Sequence, residues 1–170
     1  MAKIIMVTGG QRSGKSELAE RIALQLSDNP LYIATAMVTD DEMARRVEVH
    51  RQRRGHKWRL AEEQLWPSRH ISSGDTALLD CITTWATNLL LHYQEDADKT
   101  LDAVRSEIAR IASIDGATVI AVTNEIGLGG ISPNPLQRKF TDLHGMANRC
   151  LADNASEVYM TLSGIPVKIK

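Results

Sequence analysis

"GGQRSGKS", residues 9–16, decides how the chain is read, because it spells G-x-x-x-x-G-K-S with Gly9, Gly14, Lys15 and Ser16 at the required offsets. The glycines let the backbone curl until successive N–H groups point inward at phosphate oxygens. Lys15 can reach the terminal phosphates, and the Ser16 hydroxyl can hold Mg²⁺. A bare pattern of this kind also arises by chance, so its context carries the weight. The apolar run "KIIMVTGG" before it reads as a buried strand of a parallel sheet. Ser16 to Leu26 follows as a helix, with Leu18, Ala19, Ile22, Ala23 and Leu26 on one face. A strand, a glycine loop and a helix in that order predict a nucleoside triphosphate held at the positive end of the helix dipole.

The same alternation continues along the chain. "LYIATA" (31–36) is a second strand. Thr39-Asp40-Asp41-Glu42 has the form of a capping box, so a helix is expected to start there, carry the following basic run and stop near Gly55. Residues 59–75 read as irregular, with Pro67 and Gly74 as breakers. "TALLDCI" (76–82) is a third strand, "TTWATNLLLHY" a short helix, and Asp98 to Ser113 a longer one with Leu101, Val104, Ile108 and Ile111 at helical spacing. "ATVIAVTNE" (117–125) is a fourth strand. The Gly/Pro-rich loop 126–135 is long enough to suggest function. Leu136 to Asp153 is the last helix, and "SEVYMTLSGIPVKIK" closes as two short strands, Pro166 favouring an edge. The expected fold is α/β, one P-loop domain over residues 1–170, with a mostly parallel sheet between helical layers and an antiparallel edge strand near the C-terminus.

The 170 residues suffice to bury a core, and a formal net charge of −1 argues against nucleic acid as a general partner. Cys81 and Cys150 lack metal-type spacing and read as reduced thiols. No apolar stretch approaches the roughly 20 residues of a membrane span, and "MAKIIMVTGG" reads as a first strand rather than a signal peptide. A soluble, cytoplasmic protein is expected.

Asp80 ends an apolar strand in "ALLD", where the Mg²⁺-side carboxylate of a P-loop enzyme belongs; a solvent-facing strand-end acid is the alternative. Thr123, Asn124 and Glu125 fall at the carboxyl edge of the sheet, where ligands bind in open α/β folds, although ordinary strand-end polarity accounts for them equally well. "RRVEVHRQRRGHKW" (45–58) sets His50 among arginines, and seven Lys/Arg residues lie between Arg45 and Arg59. A solvated helix face explains the run. So does a group of guanidinium forks gathered around a triphosphate, with a neutral imidazole among them as a nucleophile at phosphorus. A nucleic-acid patch fits less well, since no aromatic residue interleaves before Trp58. The residues alone leave the first two readings level.

"TGGQRSGKS", "YIATA", "DDEMARRVEVHRQRR" with "WRLAEE", "LLDCITTWATNLL", "VTNEIGLGGISPNPLQRKFTDLHGMANRCLA" and the terminal "SGIPVKIK" together resemble the bifunctional adenosylcobinamide kinase/adenosylcobinamide-phosphate guanylyltransferases of cobalamin assembly. The likeness spans nearly the whole chain in the same order. It implies a RecA-like P-loop sheet, a homotrimer, and two activities that use ATP or GTP with Mg²⁺. In the first, the aminopropanol hydroxyl of adenosylcobinamide is phosphorylated. In the second, GMP passes from GTP to that phosphate through a covalent histidine–GMP intermediate.

Carried onto this sequence, the resemblance implies that Gly9, Gly10, Gln11, Arg12, Ser13, Gly14, Lys15 and Ser16 hold the nucleotide phosphates and that His50 is the guanylylated residue. Arg51, Gln52, Arg53, Arg54 and Glu62 then fall on the guanine nucleotide, as do Ala34, Thr35 and Ala36. Asp80 stands where the family often has Glu, and with Ser16 it is the expected metal ligand. His56 is a weaker candidate nucleophile, while His70, His92 and His144 have no supporting motif. The loop 126–135 is expected to form part of the corrinoid wall. Two rivals remain on the residues: a monofunctional small-metabolite kinase, which leaves His50 unexplained, and a RecA-like nucleic-acid-stimulated ATPase or nucleotide switch. Against the second stand the missing N-K-x-D motif and the lack of stacking aromatics near the basic run.

Overall fold

The computed structural model describes residues 1–37 and 57–170. Their strands are β1 (Lys3–Gly9), β2 (Leu31–Ala34), β3 (Arg59–Glu62), β4 (Thr76–Asp80), β5 (Thr118–Val122), β6 (Glu157–Leu162) and β7 (Ile165–Lys168). Their α-helices are α1 (Lys15–Leu26), α2 (Ile82–His92), α3 (Ala97–Ser113) and α4 (Pro135–Asn154). The strands form one sheet in the order β3-β2-β4-β5-β1-β6-β7. Every pairing is parallel except β6 with β7. One strand, β5, therefore separates the strand that feeds the glycine loop from the strand that ends in Asp80, as a RecA-like arrangement requires.

The strands read as continuous apolar runs because both faces of the sheet are covered. Ile4, Met6, Ala77, Leu79, Val119 and Ala121 point to one face, where Trp85 and Leu89 of α2, Val104, Ile108 and Ile111 of α3, and Ala147 and Leu151 of α4 bury them. The alternate residues Ile5, Val7, Leu78, Ile120 and Val122 point to the other face, against Leu18, Ala19 and Ala23 of α1. The period of two along each strand thus sorts one run into two cores. Of the expected α1 face, Leu26 is exposed instead, because the helix ends there.

Three expectations change. Residues 59–75 are not irregular throughout: Arg59–Glu62 adds β3 to the free edge of β2, and Pro67–His70 forms a 3-10 turn with proline in its first turn. β3 escapes a periodicity search because three of its four residues are exposed at the sheet's edge. The second, third and fourth strands also stop short of the expected ends, at Ala34, Asp80 and Val122. Single backbone bonds to the same neighbouring strands persist just past two of these ends, as Thr35 N donates to the Asp80 carbonyl and Glu125 N to the Gly9 carbonyl. Finally, Arg59 of the basic run sits at the amino end of β3 and pairs with Asp75 at 2.5 Å, on the edge opposite the glycine loop. The helix expected from Thr39 to Gly55 lies outside the described residues. Pro166 does lie on the antiparallel edge strand β7.

Candidate active site

β1 delivers the glycine loop to the carboxyl edge of the sheet. At Gly9 a side chain has no room: an added Cβ would sit 2.5 Å from Thr161 Oγ1 and 2.7 Å from the Thr161 carbonyl oxygen. β6 presses on the loop entrance, and only glycine permits that approach. Arg12 (φ 56°) and Gly14 (φ 89°) then take left-handed backbone, the reversal that turns a run of N–H groups to one side. Ser13 is buried and fastens the loop to the C-terminal hairpin. Its Oγ lies 2.6 Å from Thr161 Oγ1, and its carbonyl accepts from Gly164 N at 3.0 Å.

Gly14 stands at the N-cap of α1 and offers no side-chain hydrogen bond, so the first-turn N–H groups stay open to an anion. Lys15 Nζ arches back to donate to the Gly10 carbonyl at 2.9 Å. Burial draws the Lys15 pKa down, against the opposing pull of Cys81, Asp80 and Glu17. An arriving phosphate would supply the compensating charge. Gln11 and Arg12 are exposed at the loop's tip. The half-buried Ser16 hydroxyl makes no hydrogen bond to a described residue.

Register arranges the acids across the edge. Ala34 stands opposite both Glu62 and Asp80, Asp80 opposite Val122, and Val122 opposite Val7. At about 4.8 Å per strand, Asp80 lies roughly 10 Å from β1 and Glu62 roughly 19 Å. Tyr32 on β2 donates its hydroxyl to Asp80 Oδ2, which fixes that carboxylate. Thr35, fully buried, ties the ends of β2 and β4 together. Its hydroxyl donates to the Asp80 (3.1 Å) or Cys81 (3.0 Å) carbonyl and accepts from Cys81 N at 2.9 Å. Asn88 of α2 donates to the Thr35 carbonyl at 2.7 Å. Ala34, Thr35 and Ala36 therefore form a pinned turn beside Asp80, while Glu62 is exposed. His50, Arg51, Gln52, Arg53 and Arg54 lie outside the described residues, as does His56.

A polar network that the sequence does not announce closes the other side. Thr8 Oγ1 donates to Glu125 Oε1 at 2.6 Å, and Asn148 Nδ2 donates to the Asn124 carbonyl at 3.0 Å. Thr123 Oγ1 donates to Asn148 Oδ1 at 2.7 Å. Thr83 Oγ1 accepts from Asn124 Nδ2 (2.9 Å) and Asn124 N (3.2 Å), which leaves its own proton for His144 Nε2 at 2.9 Å. His144 is 1% exposed, and burial pushes its pKa down to about 4, so it serves as a neutral acceptor. The signal was in α4: Phe140, His144 and Asn148 recur every four residues beside an apolar stripe. A polar residue at such a position needs a buried partner, but the partner's identity is set by the fold.

Residues 5–169 match the family model of cobinamide kinase / cobinamide phosphate guanyltransferase. The chain belongs to this family. It is 43% identical over 181 residues to the bifunctional adenosylcobalamin biosynthesis protein CobU of Escherichia coli K12, covering 98% of this chain and 99% of that protein. Its identity to the Salmonella typhimurium CobU is 40%, covering 98% and 99%. The Pseudomonas aeruginosa protein CobP is 38% identical, over 97% of this chain and 96% of its own. As a cobinamide kinase/guanyltransferase the chain is a bifunctional transferase of cobalamin biosynthesis with nucleotide and cobinamide substrates. No helix among the described residues is long and apolar enough to cross a membrane.

Proposed function

We propose that one triphosphate cradle, Gly9 to Ser16, serves both activities of this transferase. The observation that carries this reading is the α1 N-terminus, uncapped behind the glycine loop, with Lys15 folded back to the Gly10 carbonyl. In the kinase step the γ-phosphoryl of ATP or GTP passes to the alcohol of adenosylcobinamide. Loop amides and Lys15 stabilise charge on the transferring group. In the guanylyl step His50 attacks the α-phosphorus of GTP and pyrophosphate leaves. The corrinoid phosphate then takes GMP from the imidazole, giving adenosylcobinamide-GDP. Splitting the transfer keeps the two anionic reactants from having to meet in one displacement.

Asp80 and Ser16 suit Mg²⁺, because both offer hard oxygen donors and Mg²⁺ is commonly held by one or two carboxylates plus substrate phosphates. Bound there, the ion would neutralise phosphate charge. Glu62, about 19 Å from β1 by strand spacing, is too remote for that metal and suits the nucleoside end of GTP. The pinned turn Ala34, Thr35 and Ala36 lies between the two, and Arg51, Gln52, Arg53 and Arg54 complete the guanine-nucleotide contacts. Leu128 and Ile131, 75% and 91% exposed, give the 126–135 loop apolar surface for a corrinoid. The remaining parts of the proposal are a single domain, a homotrimeric assembly, a cytoplasmic location and no nucleic-acid partner.

The test is incubation with Mg²⁺ and GTP labelled at the α-phosphate. GMP should remain on the protein in an acid-labile, alkali-stable bond, as a histidine phosphoramidate does. His50→Ala should abolish labelling and keep the kinase largely intact. Full labelling in His50→Ala would overturn the assignment and move it to His56.

A further inference from the structure

Phosphoryl transfer to an alcohol leaves a hydroxyl proton to be placed, and the acids already described are otherwise engaged. Asp80 takes the Tyr32 hydroxyl on one oxygen and is the carboxylate suited to the metal. Glu62 lies four strands from β1, roughly 19 Å at about 4.8 Å per strand. Glu125 differs from both. β5 is the immediate neighbour of β1, and Glu125 leaves its end with its backbone N–H donating to the Gly9 carbonyl at 3.2 Å. That bond anchors the Glu125 backbone to the first residue of the cradle.

Its two oxygens are unequal. Oε1 accepts from Thr8 Oγ1 at 2.6 Å and from Asn148 Nδ2 at 3.4 Å. Oε2 has no hydrogen-bond partner among the described residues, and the side chain is half-buried. Asn148 is itself held by Thr123, so the clamp on Oε1 reaches back into the buried core. One oxygen fixed and one free is what an acceptor for a substrate proton needs: a defined direction with an open lone pair.

We infer that Glu125 is the carboxylate that receives the hydroxyl proton of the corrinoid alcohol in the kinase step. The alcohol oxygen bonds to the γ-phosphorus as the bond from that phosphorus to the β–γ bridging oxygen breaks. The bond pair leaves with the nucleoside diphosphate, and the hydroxyl proton passes to Glu125 Oε2. Guanylylation of His50 involves no alcohol and does not need this acid. The inference rests on the kinase reading and extends it to a named base.

Glu125→Gln separates the roles, because the amide keeps an oxygen to accept from Thr8 and Asn148. The kinase kcat should fall by about 10²–10⁴, the usual contribution of a positioned base. The KM for nucleotide and the yield of α-label on the protein should stay within about twofold of wild type, the scale of a side chain that leaves binding untouched. In Glu125→Ala, added formate should restore part of the kinase rate, a response that a merely structural residue would not give. Kinase activity within threefold of wild type in Glu125→Gln would overturn the inference. So would a parallel loss of kinase and labelling, which would make Glu125 a support of the shared cradle. A wild-type protein that labels with GTP but phosphorylates no corrinoid alcohol would remove the kinase reading itself, and the inference with it.

Discussion

The N-termini of α1 and α4 meet the same problem and solve it in opposite ways. Each leaves first-turn N–H groups without partners inside the helix. At α4 the chain supplies the partner itself: Asn134 Oδ1 accepts from Leu136 N at 2.9 Å and Gln137 N at 3.3 Å, and Pro135 removes a third donor. α2 and α3 are closed likewise, by Cys81 Sγ and Asp96 Oδ1. At α1 the N-cap is Gly14, in left-handed backbone and without a side chain to offer. An end left open on a helix packed against the sheet sacrifices stability that a serine or aspartate would supply, and a bound phosphate restores it. The closed ends hold the scaffold still, while the open one waits for substrate.

That contrast predicts where damage will appear. Lys15→Ala should reduce kinase and guanylyl transfer together by about 10²–10³, the loss expected when one charge aimed at reacting phosphates is removed. Thermal stability should change little, since among the described residues Lys15 donates only to the Gly10 carbonyl. Parallel rate assays on one preparation check this, and loss of a single activity would require two nucleotide sites.

The closed side should instead show itself as pH-dependent stability. Burial holds His144 near pKa 4 in the folded protein, against about 6.5 unfolded. The unfolded chain therefore binds the extra proton first as pH falls. Stability should drop between about pH 6.5 and 4, by at most about 3 kcal/mol, and the slope should end once the folded form also takes the proton. Among the described residues the ring contacts Thr83, Thr123 and Phe140, and no carboxylate pairs with it to soften the effect. Unfolding free energies from urea titrations at each pH should fall across this range for wild type and change less for His144→Gln.

The smallest effect is expected at α4's cap. Asn134→Ala should cost about 1 kcal/mol of stability and leave nucleotide affinity unchanged, as calorimetry can show.

What could be read in advance follows the same division. The cradle is contiguous in sequence, so eight residues carried it, and the apolar runs carried the parallel sheet because both faces are buried. β3 was hidden, because an edge strand with mostly exposed residues has no apolar signature. The Thr8–Glu125–Asn148–Thr123 network was hidden for another reason. Its members come from β1, the end of β5 and α4, and only the strand order brings them together. Asp80 was legible as a strand-end acid, but the Tyr32 hydroxyl that fixes it belongs to a neighbouring strand and has no mark in the local sequence. Glu62 and His50 were named through resemblance, since spacing alone assigns neither a partner.

The claim on which the rest depends is that one open cradle feeds both reactions. It is tested most directly with GTP as the only substrate nucleotide, labelled at the γ-phosphate to follow corrinoid phosphorylation and at the α-phosphate to follow the protein adduct. A β,γ-methylene analogue of ATP is titrated into both assays at the same GTP concentration. If the cradle is shared, both rates fall along one inhibition curve. Adduct formation that continues unimpeded at analogue concentrations that stop the kinase would contradict the account.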